Sequence, residues 1–131
     1  MKRKFYLVIL AFSGLVIYLG LDNLMVEHPS VALTPHDQLI MYSLTDCSAC
    51  EMKRGELQRA NIPYVEYVVD RQQVASDDLT RKLNQAGFPV SGIGFPSFDV
   101  KGTLIPNNPP LFQIIKNLEN SEAKKEASLS G

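Results

Sequence analysis

The chain is poor in the residues that staple or metallate a small fold. Among its 131 residues there are two cysteines and two histidines. Four-coordinate structural zinc draws its ligands from Cys and His. No cysteine exists beyond Cys47 and Cys50, and His28 and His36 lie in a proline-containing stretch, so a closed zinc site is not expected. A disulfide between cysteines three positions apart closes almost no loop and constrains the unfolded chain very little. No stripe of Lys and Arg with interleaved aromatics follows residue 5, and the net charge is -1. Nucleic acid is therefore not an expected partner. There is no internal repeat, and the length suits one domain.

What the chain does have is unevenly placed. Residues 5–21 read FYLVILAFSGLVIYLGL, without a charge. A helix needs about 20 mostly apolar residues to span a bilayer, and continuation through Leu24 and Val26 approaches that. Lys2, Arg3 and Lys4 precede the run, and Asp22 and Glu27 follow it. The positive-inside rule then predicts a single-pass N-terminal transmembrane helix over residues 1–26, with its N-terminus cytoplasmic and membrane lipid around residues 5–26. The rest of the chain would lie on the exported side, which in a bacterium is the periplasmic face of the inner membrane. A cleaved signal ending near Ser30-Val31-Ala32 is the alternative, and it exports the same residues. Residues 27–37, with Pro29 and Pro35, read as a linker. Residues 120–131 are charged and rich in small residues and read as a flexible tail.

The domain proper is expected over residues 38–119. Residues 38–44 (QLIMYSL) suit a buried strand. Thr45 and Asp46 are acceptable helix caps. From Cys47 to Ala60 the pattern is helical, with Cys50, Leu57 and Ala60 on one face and Lys53, Arg54, Glu56 and Arg59 on the rest. Residues 64–69 (YVEYVV) read as a second strand. Ser76, Asp77 and Asp78 read as the start of a second helix, and Gly87 as its stop. Residues 97–101 and 103–105 form a hairpin about Gly102. Leu111, Ile114, Ile115 and Leu118 mark a final amphipathic helix. The order strand–helix–strand–helix–strand–strand–helix predicts an α/β domain with a mixed four-stranded sheet flanked by helices.

Cys47-Ser48-Ala49-Cys50 carries the chemistry. Disulfide exchange needs one thiolate to attack a sulfur and a second thiol to resolve the mixed disulfide. A CxxC between a strand and a helix of a βαβ unit reads as a redox motif. Cys47 at the helix start gains from the unpaired N–H groups and the positive dipole end, so it is the expected nucleophile. Cys50, one turn on, is the expected resolving thiol, and Ser48 and Ala49 tune the couple. A carboxylate at Asp46 disfavours the thiolate unless it is committed to capping. The competing reading is a Cu(I)-handling module in which Met41 or Met52 joins the cysteines by softness. A third is a non-catalytic interaction domain that has merely kept the fold.

MYSLTDCSAC and GFPSFDVKG resemble the glutaredoxin-like branch of the thioredoxin superfamily. The resemblance implies a thioredoxin-like fold over residues 38–118 and thiol–disulfide oxidoreductase activity. It implies that Pro96 is a cis-proline and that Phe95 faces the substrate. The chain departs from the family where glutathione is held. Ser48-Ala49 stands for Pro-Tyr between the cysteines. Ser43, Leu44 and Thr45 occupy the region of a glutathione-binding Lys. Pro106-Asn107-Asn108-Pro109-Pro110 replaces a Gly-Gly-x-Asp-like turn. No resident cofactor is expected, and a glutathione-dependent glutaredoxin is kept as an alternative. The expected partners are protein thiols and disulfides, with a membrane electron donor or acceptor.

Overall fold

The structure, a computed structural model, describes residues 37–131. The expected membrane span or signal at residues 1–26, and all of the expected linker but Asp37, lie outside the described residues. Among the described residues no helix is long and apolar enough to cross a membrane.

Seven elements follow in the order β1 (Leu39–Ser43), α1 (Ser48–Arg59), β2 (Val65–Val68), α2 (Gln73–Ala86), β3 (Ser97–Val100), β4 (Thr103–Ile105) and α3 (Leu111–Leu129). The sheet order is β2-β1-β3-β4. β1 runs parallel to β2, with Met41 opposite Glu66 and Ser43 opposite Val68. It runs antiparallel to β3, with Tyr42 opposite Ser97, and β3 pairs antiparallel with β4. The parallel pair needs a crossover, which α1 supplies. The hairpin turns at Lys101 and Gly102, both with positive φ, and Asp99 closes it by accepting the Gly102 N–H at 2.7 Å.

β1 is buried throughout because both its faces are covered. Alternate residues feed two cores. Leu39 and Met41 join Leu57, Phe98, Val100, Ile105 and Ile114 on the side of α1 and α3. Ile40 and Tyr42 join Tyr67, Ala75, Leu79 and Leu83 on the side of α2.

Four local expectations are corrected. α1 buries Lys53 and leaves Ala60 exposed. The Lys53 stem lies in the core, and its ammonium reaches Glu56 at 2.6 Å. α2 begins at Gln73, not at Ser76, and has no side-chain cap. Asp78 is not an exposed first-turn acid but is buried against Tyr42 and Lys82. α3 continues to Leu129 through the residues expected to form a tail. Ala, Glu and Lys are strong helix formers, and once Ile114 and Leu118 dock the first turns they extend the helix without further burial. The stop of α2 is as expected: Gly87 has φ 75°, and Gly87 N and Phe88 N donate to Asn84 O and Leu83 O.

Candidate active site

The C-terminal ends of β1 and β2 and the N-terminal end of β3 meet at one end of the sheet. β1 leads through Leu44, Thr45 and Asp46 into Cys47, whose backbone is extended (φ -136°, ψ 98°). The expected caps do not cap. The N-cap of α1 is Cys47 itself, whose Sγ accepts the Cys50 N–H at 3.1 Å, while its carbonyl accepts the Glu51 N–H at 3.1 Å. Asp46 is exposed. Thr45 turns its N–H to the Asp70 carboxylate, 3.1 Å from each oxygen, and its hydroxyl accepts from Arg71 Nε at 2.9 Å. These bonds tie the loop before Cys47 to the end of β2. Burial alone would raise the Asp70 carboxyl, but the Thr45 bonds outweigh it and hold that carboxyl below its ordinary value.

Cys47 and Cys50 are joined by a disulfide, with S–S 2.08 Å and Cα–Cα 5.2 Å. Cys50 is fully buried and Cys47 half-buried. The two sulfurs therefore differ in access: an incoming sulfur meets Cys47 first. Ser48 is exposed and Ala49 half-buried, both in the first turn between the cysteines. When the bond is reduced, the N-cap position places Cys47 Sγ against a donor N–H and the positive end of α1, both of which favour its thiolate.

The Phe95–Pro96 peptide bond is cis. Pro96 is buried and stands one step beyond the Tyr42–Ser97 pair, beside the end of β1 that leads to Cys47. It is held by the β4–α3 connection. Asn107 Oδ1 accepts the Gly94 N–H at 2.6 Å, Asn107 N donates to Gly94 O at 3.3 Å, and Asn108 N donates to Pro96 O at 2.8 Å. Ser97 Oγ adds a bond to Gly94 O at 3.0 Å. Asn107 and Asn108 both have positive φ, a conformation that Asn tolerates better than most side chains. A Cβ on Gly94 would meet Asn107 at 3.4 Å, so the two segments approach closely.

Two polar groups were not foreseen. Beneath α1, Glu66 of β2 accepts from Arg54 Nε at 2.9 Å, from Arg54 Nη2 at 2.7 Å and from Ser43 Oγ at 2.5 Å. Burial would raise the Glu66 carboxyl, but the bonds from Arg54 and Ser43 outweigh it and the value is lowered. Arg54 lies one helical turn after Cys50. The signal for this group was a single acid inside an apolar strand. Beneath α2, Asp78 accepts from the Tyr42 hydroxyl at 2.5 Å and pairs with Arg81 and with Lys82, the latter at 3.0 Å. Lys82 also meets Asp99 at 2.5 Å. Burial first, and Asp78 next, push the Tyr42 hydroxyl well up, so it stays a donor.

The copper reading does not gain its extra ligands. Met41 is fully buried in the core and Met52 is 64 % exposed. Two positions along a helix turn Met52 by about 200° from Cys50. Among the described residues, no three His, Cys, Asp or Glu form a group able to hold a metal ion. The N–H groups of Asn107 and Asn108, in the turn where glutaredoxins bind one end of glutathione, are committed to Gly94 O and Pro96 O. Ser43, Leu44 and Thr45 offer no charge in the region where glutaredoxins commonly carry a Lys. A cavity of about 490 Å³ lies at the opposite end of the sheet between Leu39, Tyr64 and Leu118, and no residue of the reactive end lines it.

No curated protein and no solved structure matches the chain. Residues 39–93, from β1 through both cysteines and α2 to the loop before Phe95, match the family model described as Glutaredoxin.

Proposed function

We propose that the protein is a glutaredoxin-like thiol–disulfide oxidoreductase of protein substrates, held on the exported side of a membrane by residues 1–26. The observation that carries the reading is that Cys47 Sγ is at once the N-cap of α1 and one half of a disulfide with the buried Cys50. The family match over the stretch containing both cysteines supports it. In the reducing direction, the Cys47 thiolate attacks one sulfur of a substrate disulfide. That S–S bond breaks, a Cys47–substrate disulfide forms, and the departing sulfur leaves as a thiolate that takes a proton from water. Cys50, deprotonated, then attacks Cys47 Sγ. This releases the second substrate thiol and leaves the Cys47–Cys50 disulfide, so the substrate gains two electrons and the pair loses two. The oxidising direction is the reverse. Phe95 and Pro96 supply the backbone edge along which the substrate lies. Commitment of the Asn107 and Asn108 N–H groups, and uncharged Ser43, Leu44 and Thr45 in the region of a cation, favour a polypeptide over glutathione. Lys2, Arg3, Lys4 and the uncharged run that follows motivate the membrane placement.

The test is a trapping experiment with a protein disulfide. Cys50→Ser accumulates a mixed disulfide through Cys47, and Cys47→Ser exchanges with nothing. If alkylation before and after reduction finds that the Cys47–Cys50 bond never opens and closes reversibly, the reading is wrong.

A further inference from the structure

The loop between α2 and β3 builds a second feature beside the reactive end. It is pinned at one end by Phe88 N donating to Leu83 O at 2.9 Å, and at the other by Gly94 N donating to Asn107 Oδ1 at 2.6 Å. Between these pins it stands off α2 and leaves a cavity of about 270 Å³. Leu79 and Leu83 of α2, which belong to the core beneath, line it with Val69, Val90, Ile93 and Phe95, and Ser76 and Thr80 add hydroxyls from α2. Val90 is 45 % exposed at the mouth, and Phe88, 38 % exposed, stands in the same loop. Apolar surface left open beside a reactive centre marks a place where something apolar docks.

Two lining residues tie the cavity to the disulfide end through the chain and one backbone bond. Phe95 is both a wall and the residue bonded to Pro96. Val69 is both a wall and the donor to Ser43 O, at 2.9 Å, four residues before Cys47. A polypeptide joined to Cys47 and lying along Phe95 advances about 3.3 Å per residue, so its near neighbours in sequence pass the cavity mouth. The charges on that end also favour one kind of partner. Asp46, Glu51 and Asp70 are exposed at that end against one neighbouring cation, Arg71, which like Asp70 is bonded to Thr45.

We propose that this cavity receives an aliphatic side chain of the substrate, one to three residues from its reactive cysteine, and so selects non-acidic polypeptides with an apolar neighbour to the cysteine. This rests on the oxidoreductase reading above and specifies its substrate class. Glutathione, with charged ends and no aliphatic side chain, leaves the cavity empty.

The test uses the Cys50→Ala protein and synthetic disulfide-bonded peptides of Ser and Gly with one cysteine, in which a single Leu is walked through the three positions on each side. The rate of the Cys47–peptide bond is read by mass spectrometry. One Leu position reacts about tenfold faster than the Ser peptide, the factor that about 1.4 kcal/mol of burial supplies. Val90→Asp, and separately Ile93→Ala, bring that Leu-to-Ser ratio close to one. Val90 is exposed, so its variant keeps the core. Equal rates for Leu at every position overturn the pocket while leaving disulfide exchange standing. No exchange with any peptide overturns the oxidoreductase reading and the pocket with it.

Discussion

Asn107 reaches across from the β4–α3 connection to Gly94: its side-chain oxygen accepts the Gly94 N–H at 2.6 Å while its own N–H returns a bond to Gly94 O at 3.3 Å. This reciprocal pair holds the segment that carries Phe95 and Pro96. Two properties of Asn are used at once, the amide oxygen and tolerance of φ 66°.

The two properties separate by mutation. Asn107→Ala loses the bond and strains the left-handed backbone, for a loss of about 2 kcal/mol. Asn107→Gly loses the bond alone, for about 1 kcal/mol. Chemical denaturation measures both. Both variants also slow exchange with protein substrates, because the Phe95 edge is no longer fixed. If Ala and Gly destabilise equally, the backbone argument is wrong.

Asp46 lies beside Cys47, exposed and not capping. Its charge opposes the Cys47 thiolate through solvent. Asp46→Asn therefore favours the Cys47 thiolate in the reduced protein, within the limits of a screened surface pair. Iodoacetamide alkylation of the reduced protein at neutral pH is then faster in the variant. An unchanged or slower rate contradicts this account.

Lys82 serves two buried carboxylates, Asp78 and Asp99. Lys82→Met leaves them facing each other with Arg81 as the remaining cation on Asp78. Removing one partner of a buried charge group costs about 3 kcal/mol. Lys82→Met combined with Asp99→Asn recovers part of this, since the second change removes an uncompensated charge. Thermal unfolding of the single and double variants decides it.

The carboxyls of Glu66 and Asp78 are both lowered from ordinary values of 4.5 and 3.8 in the folded state. A depressed folded value means the unfolded chain binds protons first as pH falls. The stabilisation is thus present above about pH 4.5 and is lost as pH drops through the folded values. Glu66→Gln flattens that acid limb while lowering stability at pH 7. An acid limb as steep as that of the unmodified protein would show that Glu66 takes no part in it.

The membrane placement has its own measurement. In intact cells of a bacterium expressing the full chain, a membrane-impermeant maleimide labels reduced Cys47, and replacing Lys2, Arg3 and Lys4 with Glu weakens that labelling. Labelling only after lysis rules out export.

The elements were legible where the pattern is local. Short runs of apolar, branched and aromatic residues mark β1 and β2, Gly87 ends α2, and Gly102 turns the hairpin, all by signals within a few residues. The cysteines were legible as a pair because their spacing and setting are local too. Lys53 reads as part of the polar side of α1 and Asp78 as a first-turn acid of α2, since a charge declares its burial only through partners far along the chain: Tyr42 lies 36 residues from Asp78. The true cap was missed for a related reason. Thr45 is a better capping residue than Cys, but Arg71, in the turn after β2, takes its hydroxyl and Asp70 its N–H, and the N-cap falls two residues later at Cys47. The length of α3 was missed because its second half has no apolar stripe and leans on the docking of Ile114 and Leu118.

The start of α1 rests on an atom whose bonding changes at every turnover. Cys47 Sγ accepts the Cys50 N–H in the disulfide form, a thiolate would accept it more strongly, and a sulfur carrying substrate or an alkyl group less so. Redox state and helix-start stability are then two readings of one thermodynamic cycle, and by reciprocity each shifts the other by the same free energy. Anything that firms or frays the first turn of α1, including changes at the solvent-facing Ser48 or Glu51, retunes the equilibrium between dithiol and disulfide without touching either sulfur.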